Sequence, residues 1–550
     1  LGAFLCKSLI IQIINRTSME LLRFNCTSLC RRFSYSLLVA ALWTSQAAAS
    51  STSLSQDALK VADYAVTTYD TQMVKSLAHL ISFNTQAVEG QTPDTNPAFI
   101  GFKSSLKSLS QELGLDYADH GYVVLIGLDA NVVDAQRSQV EKLGIVTHGD
   151  VQPANPALWA KSPYVLDTES EPGKLIGRGT EDDKGAIVTA MYAMKAIKDK
   201  QLEREKRIEL LVYLAEESDW DPLKAFLAHY TLAQINITID AEYPVVTAEK
   251  GWSKIGFTVP NIESTQEQGA ATNVPSLTAF SGGYFASQVP QQAEAQIHAI
   301  TPSLFEQLQA SAAKQQGMKY RFERTCEQAV CDLHIFADGK AAHSSTPEDG
   351  VNAVTHLASL LQPYTWPKTT AALTVAAMNE LVGVGIYAEQ FGELAYKDDF
   401  MGALTLAPTV VAQTSKGTEV TINLRRPVGK TPELLSAQAK DALNKWQAEH
   451  QVTLIDVESY WGEPMVMKDA PHQQTLLDVF AHFTGIASPK PVAIGGSTNS
   501  KLFPNALSFG PAMPGVEYTG HTEKEFITHK QFMLNLKMYT AAFIELTAAK

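Results

Sequence analysis

Cysteine is scarce in this 550-residue sequence, and its distribution excludes a cysteine-based metal site. Three of the five cysteines fall within the first 30 residues, which leaves Cys326 and Cys331 in the body of the chain. Two cysteines alone do not fill the four-coordinate sites of structural zinc. In an exported protein the pair could form a disulfide, and otherwise it would be two reduced cysteines on a short hairpin; both interpretations stay open.

Positive charge is also under-represented. Lys and Arg number 44 against 58 Asp and Glu, and the formal net charge is −14. Nucleic-acid-binding domains carry an excess of positive charge on one face. The charge balance therefore predicts that nucleic acid is not a partner.

The apolar run at residues 37–43 is far shorter than the roughly 20 residues of a membrane-spanning helix. It follows Arg23, Arg31 and Arg32 and precedes Ala47-Ala48-Ala49-Ser50, a pattern typical of a secretory signal peptide. A disordered or membrane-anchoring tail is the alternative. Because the first methionine is Met19, we expect residues 1–18 to precede the true start of translation. Residues 1–49 are then leader and signal peptide, and the mature protein is secreted, into the periplasm.

The chain shows no short-period repeat, and its length is too great for one ordinary core. Apolar runs that end in a polar residue alternate with helical patterns, which predicts an α/β sheet with a site at the carboxyl ends of its strands. From residue 252 to 431 the pattern changes to strands and amphipathic segments with few acidic clusters. We therefore expect one α/β domain, residues 50–251 and 432–550, split by an α+β insertion, residues 252–431. Within the insertion, residues 373–377 are predicted to form a strand.

Five residues with metal-ligating side chains follow apolar runs. They are His148, Asp182, Glu217, Asp240 and His521. Imidazole and carboxylate ligands suit zinc and other first-row ions, and one carboxylate can bridge two ions about 3.5–4 Å apart. A single such residue is more often a helix cap or a surface group. Five at the edge of one sheet favour a shared metal site.

Two acidic segments sharpen this hypothesis. Residues 177–185 read Gly-Arg-Gly-Thr-Glu-Asp-Asp-Lys-Gly, and glycine permits a turn that is either a solvated loop or a cradle for a cation. Glu216 and Glu217 close an apolar run, where adjacent acids are costly to bury without cations. One of them can bind a metal, while the other takes a proton from metal-bound water, whose pKa falls to about 7.

Together these motifs resemble the dinuclear zinc metallopeptidase family of aminoacylase, carnosinase and glutamate carboxypeptidase, and most of all bacterial dipeptidase V. The resemblance spans residues 55–548 and implies a zinc-peptidase catalytic domain with a central mixed sheet, split by an inserted α+β lid. The matching segments are His148-Gly149-Asp150 with Trp159, Gly177-Arg178-Gly179 with Asp182-Asp183-Lys184-Gly185, Glu216-Glu217-Ser218, Asp240-Ala241-Glu242-Tyr243-Pro244, His343-Ser344-Ser345-Thr346-Pro347 with Asn352-Ala353, Gly495-Gly496-Ser497-Thr498 and Gly520-His521-Thr522-Glu523.

The resemblance implies two zinc ions, with cobalt or manganese as alternative divalent metals. The implied ligands are Asp182 as the bridge, His148 and Asp240 at one ion, and Glu217 and His521 at the other. It also implies that Glu216 is the general base and that Asp150 fixes the orientation of His148.

Two residues of the predicted insertion complete the implied site. His343 resembles the family residue that stabilises the oxyanion, a donor that typically contributes about 2.7–4 kcal/mol to catalysis. Arg425 resembles the residue that holds the substrate carboxylate, which a planar guanidinium binds through two hydrogen bonds. The alternative for His343 is an ordinary loop histidine before Pro347. The alternative for Arg425, which stands beside Arg426, is a surface charge at the end of a predicted strand.

The long insertion resembles the doubled lid of dipeptidase V, which implies a monomer that supplies His343 to its own site. One departure is Gln288-Val289-Pro290, where the dipeptidases tend to have asparagine before Val-Pro. We expect a zinc-dependent hydrolase of dipeptides or short peptides. The alternatives are an N-acyl amino acid amidohydrolase and, from another class, a non-catalytic periplasmic peptide-binding protein.

Overall fold

The computed structural model describes residues 54–131, 140–262, 274–327 and 330–548. The predicted leader and signal peptide lie outside the described residues. Within those ranges, no helix is both long enough and apolar enough to cross a membrane.

A nine-stranded mixed sheet carries most of the predicted site segments. Eight of its strands follow the order Asp116–Asp119, Val123–Leu128, Arg207–Tyr213, Lys142–His148, Ile235–Thr238, Ala506–Ser508, Val246–Glu249 and Met465–Val466, and Val492–Ile494 pairs with Val246–Glu249. The four strands from Arg207–Tyr213 to Ala506–Ser508 run parallel. Their carboxyl ends therefore meet at one edge, as the sequence predicts.

The pleat of this sheet sends apolar side chains to both faces. In Val123–Leu128, Val124 and Ile126 join a large core, whereas Val123 and Leu125 join a smaller core on the other face. The large core contains the helices Gln56–Ile81, Pro97–Leu113, Lys184–Asp199, Gln473–Thr484 and His529–Thr547. The helix Asp221–Leu227 contributes Leu223 to the smaller one. Burial on both faces explains why these strands read as continuous apolar runs.

Local capping fixes where several of these helices begin. The side chain of Asn96 accepts a hydrogen bond from the backbone N–H of Ala98, and Pro97 occupies the first helical position. Thr528 caps the C-terminal helix by accepting from the N–H of Gln531. Both caps satisfy donors that the first helical turn leaves unpaired.

A second, antiparallel sheet has eight strands, taken from residues 251–461. Their order is Lys319–Glu327, Val330–Asp338, Gln292–His298, Ser276–Gly282, Thr405–Gln413, Gly417–Arg426, Gly251–Pro260 and Ile455–Trp461. The middle strands are joined through one residue pair, Gly282 with Val411. The sheet thus consists of two four-stranded halves, and its core includes residues from the helices Pro302–Ala312, Ala353–Leu361, Thr370–Ala377 and Pro432–His450.

The strand predicted at residues 373–377 is wrong, because these residues lie in the helix Thr370–Ala377. The side chain of Thr369 caps this helix by accepting from the N–H of Ala372, and most of its residues are buried. A short apolar run that is buried on several sides fits a helix as well as a strand. The cap at Thr369, rather than the periodicity of the apolar residues, distinguishes the helix from a strand here.

The second sheet continues beyond residue 431. Pro432–His450 packs into its core, and Ile455–Trp461 pairs with Gly251–Pro260. The expected boundary at residue 431 therefore does not coincide with the edge of this sheet. The division of the chain into domains stays a prediction.

The two cysteines form a disulfide. Cys326 and Cys331 lie directly opposite each other in the hairpin of Lys319–Glu327 and Val330–Asp338. Of the two interpretations that the sequence left open, the structure has the bonded one.

Candidate metal centre

Two of the predicted ligands lie at the carboxyl ends of parallel strands, and Asp182 meets them from the turn after Lys174–Ile176. His148 ends Lys142–His148, and its Nε2 lies 2.8 Å from Asp182 Oδ1 and 3.6 Å from Asp240 Oδ1. Asp240 follows the neighbouring strand Ile235–Thr238. One potential ligand atom from each residue lies within 4.8 Å of the others. Metal–ligand bonds of about 2 Å make this spacing suitable for a single ion.

A second group of potential ligands shares Asp182 with the first. Asp182 Oδ2 lies 3.0 Å from His521 Nε2, which lies 2.6 Å from Glu217 Oε1. These three residues also offer ligand atoms within 4.8 Å of one another. Asp182 thus directs Oδ1 to one group and Oδ2 to the other, which is the arrangement that a bridging carboxylate requires.

Glu525, to which no sequence motif pointed, holds the turn that carries Asp182. Its Oε1 accepts hydrogen bonds from the backbone N–H groups of Gly179, Glu181 and Asp182, at 2.9, 2.9 and 3.1 Å. Its Oε2 accepts from Arg178 Nη1 at 2.8 Å. Because Glu525 is fully buried, this carboxylate fixes the turn from the side of the C-terminal segment.

Two glycines give the turn its shape. Gly179 has a φ of +91°, which a residue with a side chain rarely adopts. A Cβ at Gly185 would lie 2.2 Å from the carbonyl oxygen of Thr180. The positive φ therefore explains Gly179, and the close approach of the backbone explains Gly185.

The acids that flank Asp182 belong to neither ligand group. Glu181 Oε2 accepts from the N–H of Thr519 at 2.7 Å, and Asp183 accepts from the hydroxyl of Thr147. Burial raises the pKa of Glu181 to about 8. Of the three acids in the turn, only Asp182 lies between the two groups.

Asp150 connects the His148 segment to the pair of glutamates. Its carboxylate oxygens accept from the backbone N–H groups of Glu216 and Glu217, each at 3.0 Å. Its carbonyl oxygen lies 3.0 Å from His148 Nδ1, and its Oδ1 lies 3.5 Å away. The carbonyl can only accept, so Nδ1 carries the proton and Nε2 is left to face Asp182. His148 is oriented chiefly by the backbone of Asp150 rather than by its carboxylate.

Glu216 has a buried oxygen, Oε1, without a hydrogen-bond partner among the described residues, and the same holds for His521 Nδ1. Burial, and then the charge of Asp240, raise the pKa of Glu216 well above its ordinary value. Burial raises the pKa of Asp240 to about 7. Acids crowded in this way resist ionisation until a cation compensates them. The donor set of imidazoles and carboxylates and this concentration of acids fit divalent metal binding.

A short two-stranded sheet, Gln288–Val289 with Ala342–His343, brings His343 into the same site. Its ring centroid lies 4.5 Å from that of His521. The backbone N–H of Ser345 donates to His343 Nδ1 at 3.2 Å, so a neutral ring carries its proton on Nε2. Burial, together with the positive charges of His521 and Arg425, lowers the pKa of His343 well below its ordinary value. The ring is therefore a neutral hydrogen-bond donor.

The adjacent arginines Arg425 and Arg426 have different surroundings. Arg425 is buried, and it donates from Nη2 to Ser344 Oγ and from Nε to Asn423 Oδ1, each at 3.1 Å. Arg426 Nη2 is paired with Glu463 Oε2 at 2.6 Å. Successive residues of a strand point to opposite faces. Among the residues that the structure describes, Arg425 has no ion pair, and the charge of Glu216 acts on it.

Tyr518 and Gln288 also contact the ligands, and neither role could be read from the sequence alone. The Tyr518 hydroxyl donates to Asp182 Oδ2 at 2.7 Å. Gln288 Nε2 donates to the carbonyl of His521 at 3.1 Å. The residue that departs from the dipeptidase pattern is therefore in contact with the metal centre.

Comparison with known proteins identifies the family. The sequence pattern of Peptidase family M20/M25/M40 matches residues 144–545. The Beta-Ala-Xaa dipeptidase of Lactobacillus delbrueckii subsp. lactis is 28% identical over 409 residues, which are 74% of this chain and 82% of that protein.

Two solved structures share the fold. Human carnosine dipeptidase 1 superposes with a TM-score of 0.55 at 13% identity, over 90% of this chain and 99% of that one. The di-peptidase Dug1p of Saccharomyces cerevisiae gives 0.53 at 12% identity, over 88% and 98%. The family match includes both groups of potential ligands. The chain belongs to peptidase family M20/M25/M40, and it is a metallopeptidase.

Proposed function

We propose that this protein hydrolyses the peptide bond of dipeptides or short peptides, with two zinc ions held around Asp182. The observation that carries the proposal is the position of the Asp182 carboxylate, with one oxygen in each ligand group. The donors suit zinc, and cobalt or manganese would also fit. Such ions would supply Lewis acidity, which polarises a carbonyl group and acidifies water.

Within this proposal each ion has its own protein ligands. His148 and Asp240 complete the first group, and Glu217 and His521 complete the second. Gln152 Nε2 donates to Glu217 Oε2 at 2.9 Å, which leaves Oε1 directed toward the second group. Hydrogen bonds of this kind orient ligands and strengthen binding.

Glu216 is the proposed general base. Its buried Oε1 has no hydrogen-bond donor among the described residues, so this oxygen is free to accept a proton from the attacking water. When the C–N bond breaks, Glu216 gives the proton to the leaving nitrogen. The same carboxyl thus serves as base and then as acid.

His343 and Arg425 are the proposed substrate contacts. With Nδ1 occupied by the N–H of Ser345, His343 presents an Nε2–H that can donate to the oxyanion. Arg425 can bind the carboxylate at the C-terminus of the substrate. The names of the similar dipeptidases support small peptides as substrates.

A panel of matched substrates tests this function. Dipeptides, N-acetyl amino acids and N-succinyl amino acids with the same C-terminal residue would be compared by kcat/KM. We expect the dipeptides to be hydrolysed best, a chelator to abolish the activity, and added zinc, cobalt or manganese to restore it. Higher kcat/KM for the acyl amino acids would replace the proposal with an amidohydrolase. Binding without hydrolysis by the metal-loaded protein would indicate a non-catalytic peptide-binding protein.

Replacing His343 with alanine should lower kcat by about 10²–10³-fold, because an oxyanion donor is lost. Zinc content should be unchanged, since His343 belongs to neither ligand group. His334→Ala is a matched control, because this histidine of the second sheet is paired with Glu294. Steady-state kinetics with metal analysis would check both variants. An unchanged kcat for His343→Ala would remove its proposed role.

We further propose that the protein is a monomer exported to the periplasm. His343 and His521 of one chain are in contact, which supports a site that is complete without a second subunit. The N-terminal pattern and the Cys326–Cys331 disulfide support export. Light scattering on the purified protein and fractionation of cells would test the two points separately.

A further inference from the structure

Lys501 is a second cation near Glu216, and the mechanism above does not use it. Its Nζ lies 5.3 Å from the centroid of the Trp220 ring and donates to Ser497 Oγ at 2.5 Å. Trp220 Nε1 in turn donates to the backbone carbonyl of Glu216 at 2.7 Å. The ammonium group of Lys501 therefore lies beside the strand end that carries the proposed base.

The segment 495–501, which leads to Lys501, also packs beside the residues that contact Arg425. Gly495 packs so closely against the residues that follow His343 that a Cβ there would lie 2.2 Å from the carbonyl oxygen of Ser345. The preceding residue, Ser344, accepts the hydrogen bond from Arg425 Nη2. Burial, and then the positive charge of Arg425, lower the pKa of Lys501. The two cations thus approach the same region of the site from two different segments.

Neither cation has a carboxylate oxygen within 4.0 Å among the described residues. Glu249, whose charge acts on both, is engaged elsewhere: it accepts from the N–H of Thr498 at 2.9 Å and from Ser500 Oγ at 2.8 Å. Partly buried charges without a counterion favour an anionic ligand. Each of the two cations can therefore pair with a carboxylate of its own on the substrate.

We infer that Lys501 binds a side-chain carboxylate of the substrate's C-terminal residue, so that dipeptides ending in glutamate or aspartate are preferred. The inference rests on the proposed dipeptidase function, in which Arg425 takes the α-carboxylate. The planar guanidinium suits the fixed α-carboxylate, whereas the flexible stem of lysine can follow a carboxylate on a mobile side chain. Lys501 is then a specificity-determining residue.

The charge of the substrate separates this role from a structural one. We would measure kcat/KM for Ala-Glu and Ala-Gln with the wild-type protein and with Lys501→Met, Lys501→Arg and Lys468→Met. Hydrogen bonds to charged groups predict a wild-type preference for Ala-Glu of about tenfold or more. Lys501→Met should lose this preference through a higher KM for Ala-Glu, with Ala-Gln changed by about twofold at most. Lys501→Arg should retain it.

Lys468 is the matched control, because its Nζ also lies over an aromatic ring, 5.2 Å from that of Phe400. Equal losses on Ala-Glu and Ala-Gln in Lys501→Met would show that Lys501 only anchors its loop, and would overturn the inference. A wild-type protein that does not prefer Ala-Glu would overturn it too. If the metal-loaded protein hydrolyses no dipeptide, the proposed function fails first, and calorimetric Kd values for the same two dipeptides still decide whether Lys501 recognises the carboxylate.

Discussion

Glu216→Gln will lower kcat by about 10²–10⁴-fold, the usual contribution of a general acid–base residue. Glutamine keeps the size of the side chain, but its amide does not take a proton from water at neutral pH. Glu216 belongs to neither ligand group, so the variant should bind as much zinc as the wild type. KM should change little, because the substrate contacts come from His343 and Arg425.

Glu209→Gln is the matched control for this experiment. Glu209 lies in Arg207–Tyr213, the strand that leads to Glu216, and is paired with Lys142 at 3.0 Å. Loss of this ion pair should lower the melting temperature, while kcat stays within about twofold of the wild-type value. Metal analysis and steady-state kinetics would be run on both variants. Wild-type turnover by Glu216→Gln would refute the proposed base.

Asp182→Ala should remove both metal ions and lower kcat by about 10³-fold or more, because metal ions supply several kcal/mol of transition-state stabilisation. Asp182 is the one residue that belongs to both ligand groups. By contrast, His148→Ala changes only the first group and should leave about one ion per chain. Zinc content by mass spectrometry, with circular dichroism as a check on folding, would measure the difference.

Asp183→Asn provides the neighbouring control. Asp183 accepts a hydrogen bond from Thr147, and burial raises its pKa well above the ordinary value. A neutral asparagine resembles the protonated acid, so this variant should keep its metal and its activity. Two ions retained by a folded Asp182→Ala would contradict the bridging role.

Three candidate ligands, His148, Glu217 and Asp240, could be predicted from the sequence because a parallel sheet aligns the ends of its strands. The expectation that all five lie at the end of strands of one sheet was wrong for Asp182, which follows Lys174–Ile176 in a separate two-stranded sheet, and for His521, which lies in a loop. His148 and Asp240 follow neighbouring parallel strands, and this relation places both at one edge. The acidic turn was harder to interpret, since three adjacent acids look equivalent in a sequence. Only the packed structure shows Glu181 and Asp183 bound to Thr519 and Thr147.

Other features depend on contacts that no local pattern contains. Glu525 and Tyr518 reach the turn of Asp182 from more than 300 positions further along the chain. The helix Thr370–Ala377 was taken for a strand because its burial hides the helical period. The extent of the second sheet depends on the pairing of Ile455–Trp461 with Gly251–Pro260, which adjacency in sequence does not reveal.

The contact of Glu525 with the turn also bears on how the chain matures. Glu525 is separated from Asp182 by 343 positions, and the whole second sheet is synthesised between them. Strands such as Lys142–His148 and Arg207–Tyr213 can pair as the chain emerges, but the turn acquires its clamp only after Glu525 has left the ribosome. Non-local contacts of this length form late because loop closure costs entropy. A growing chain would therefore be unable to hold the two proposed metal ions, and hence to cleave peptides, until Glu525 has been synthesised.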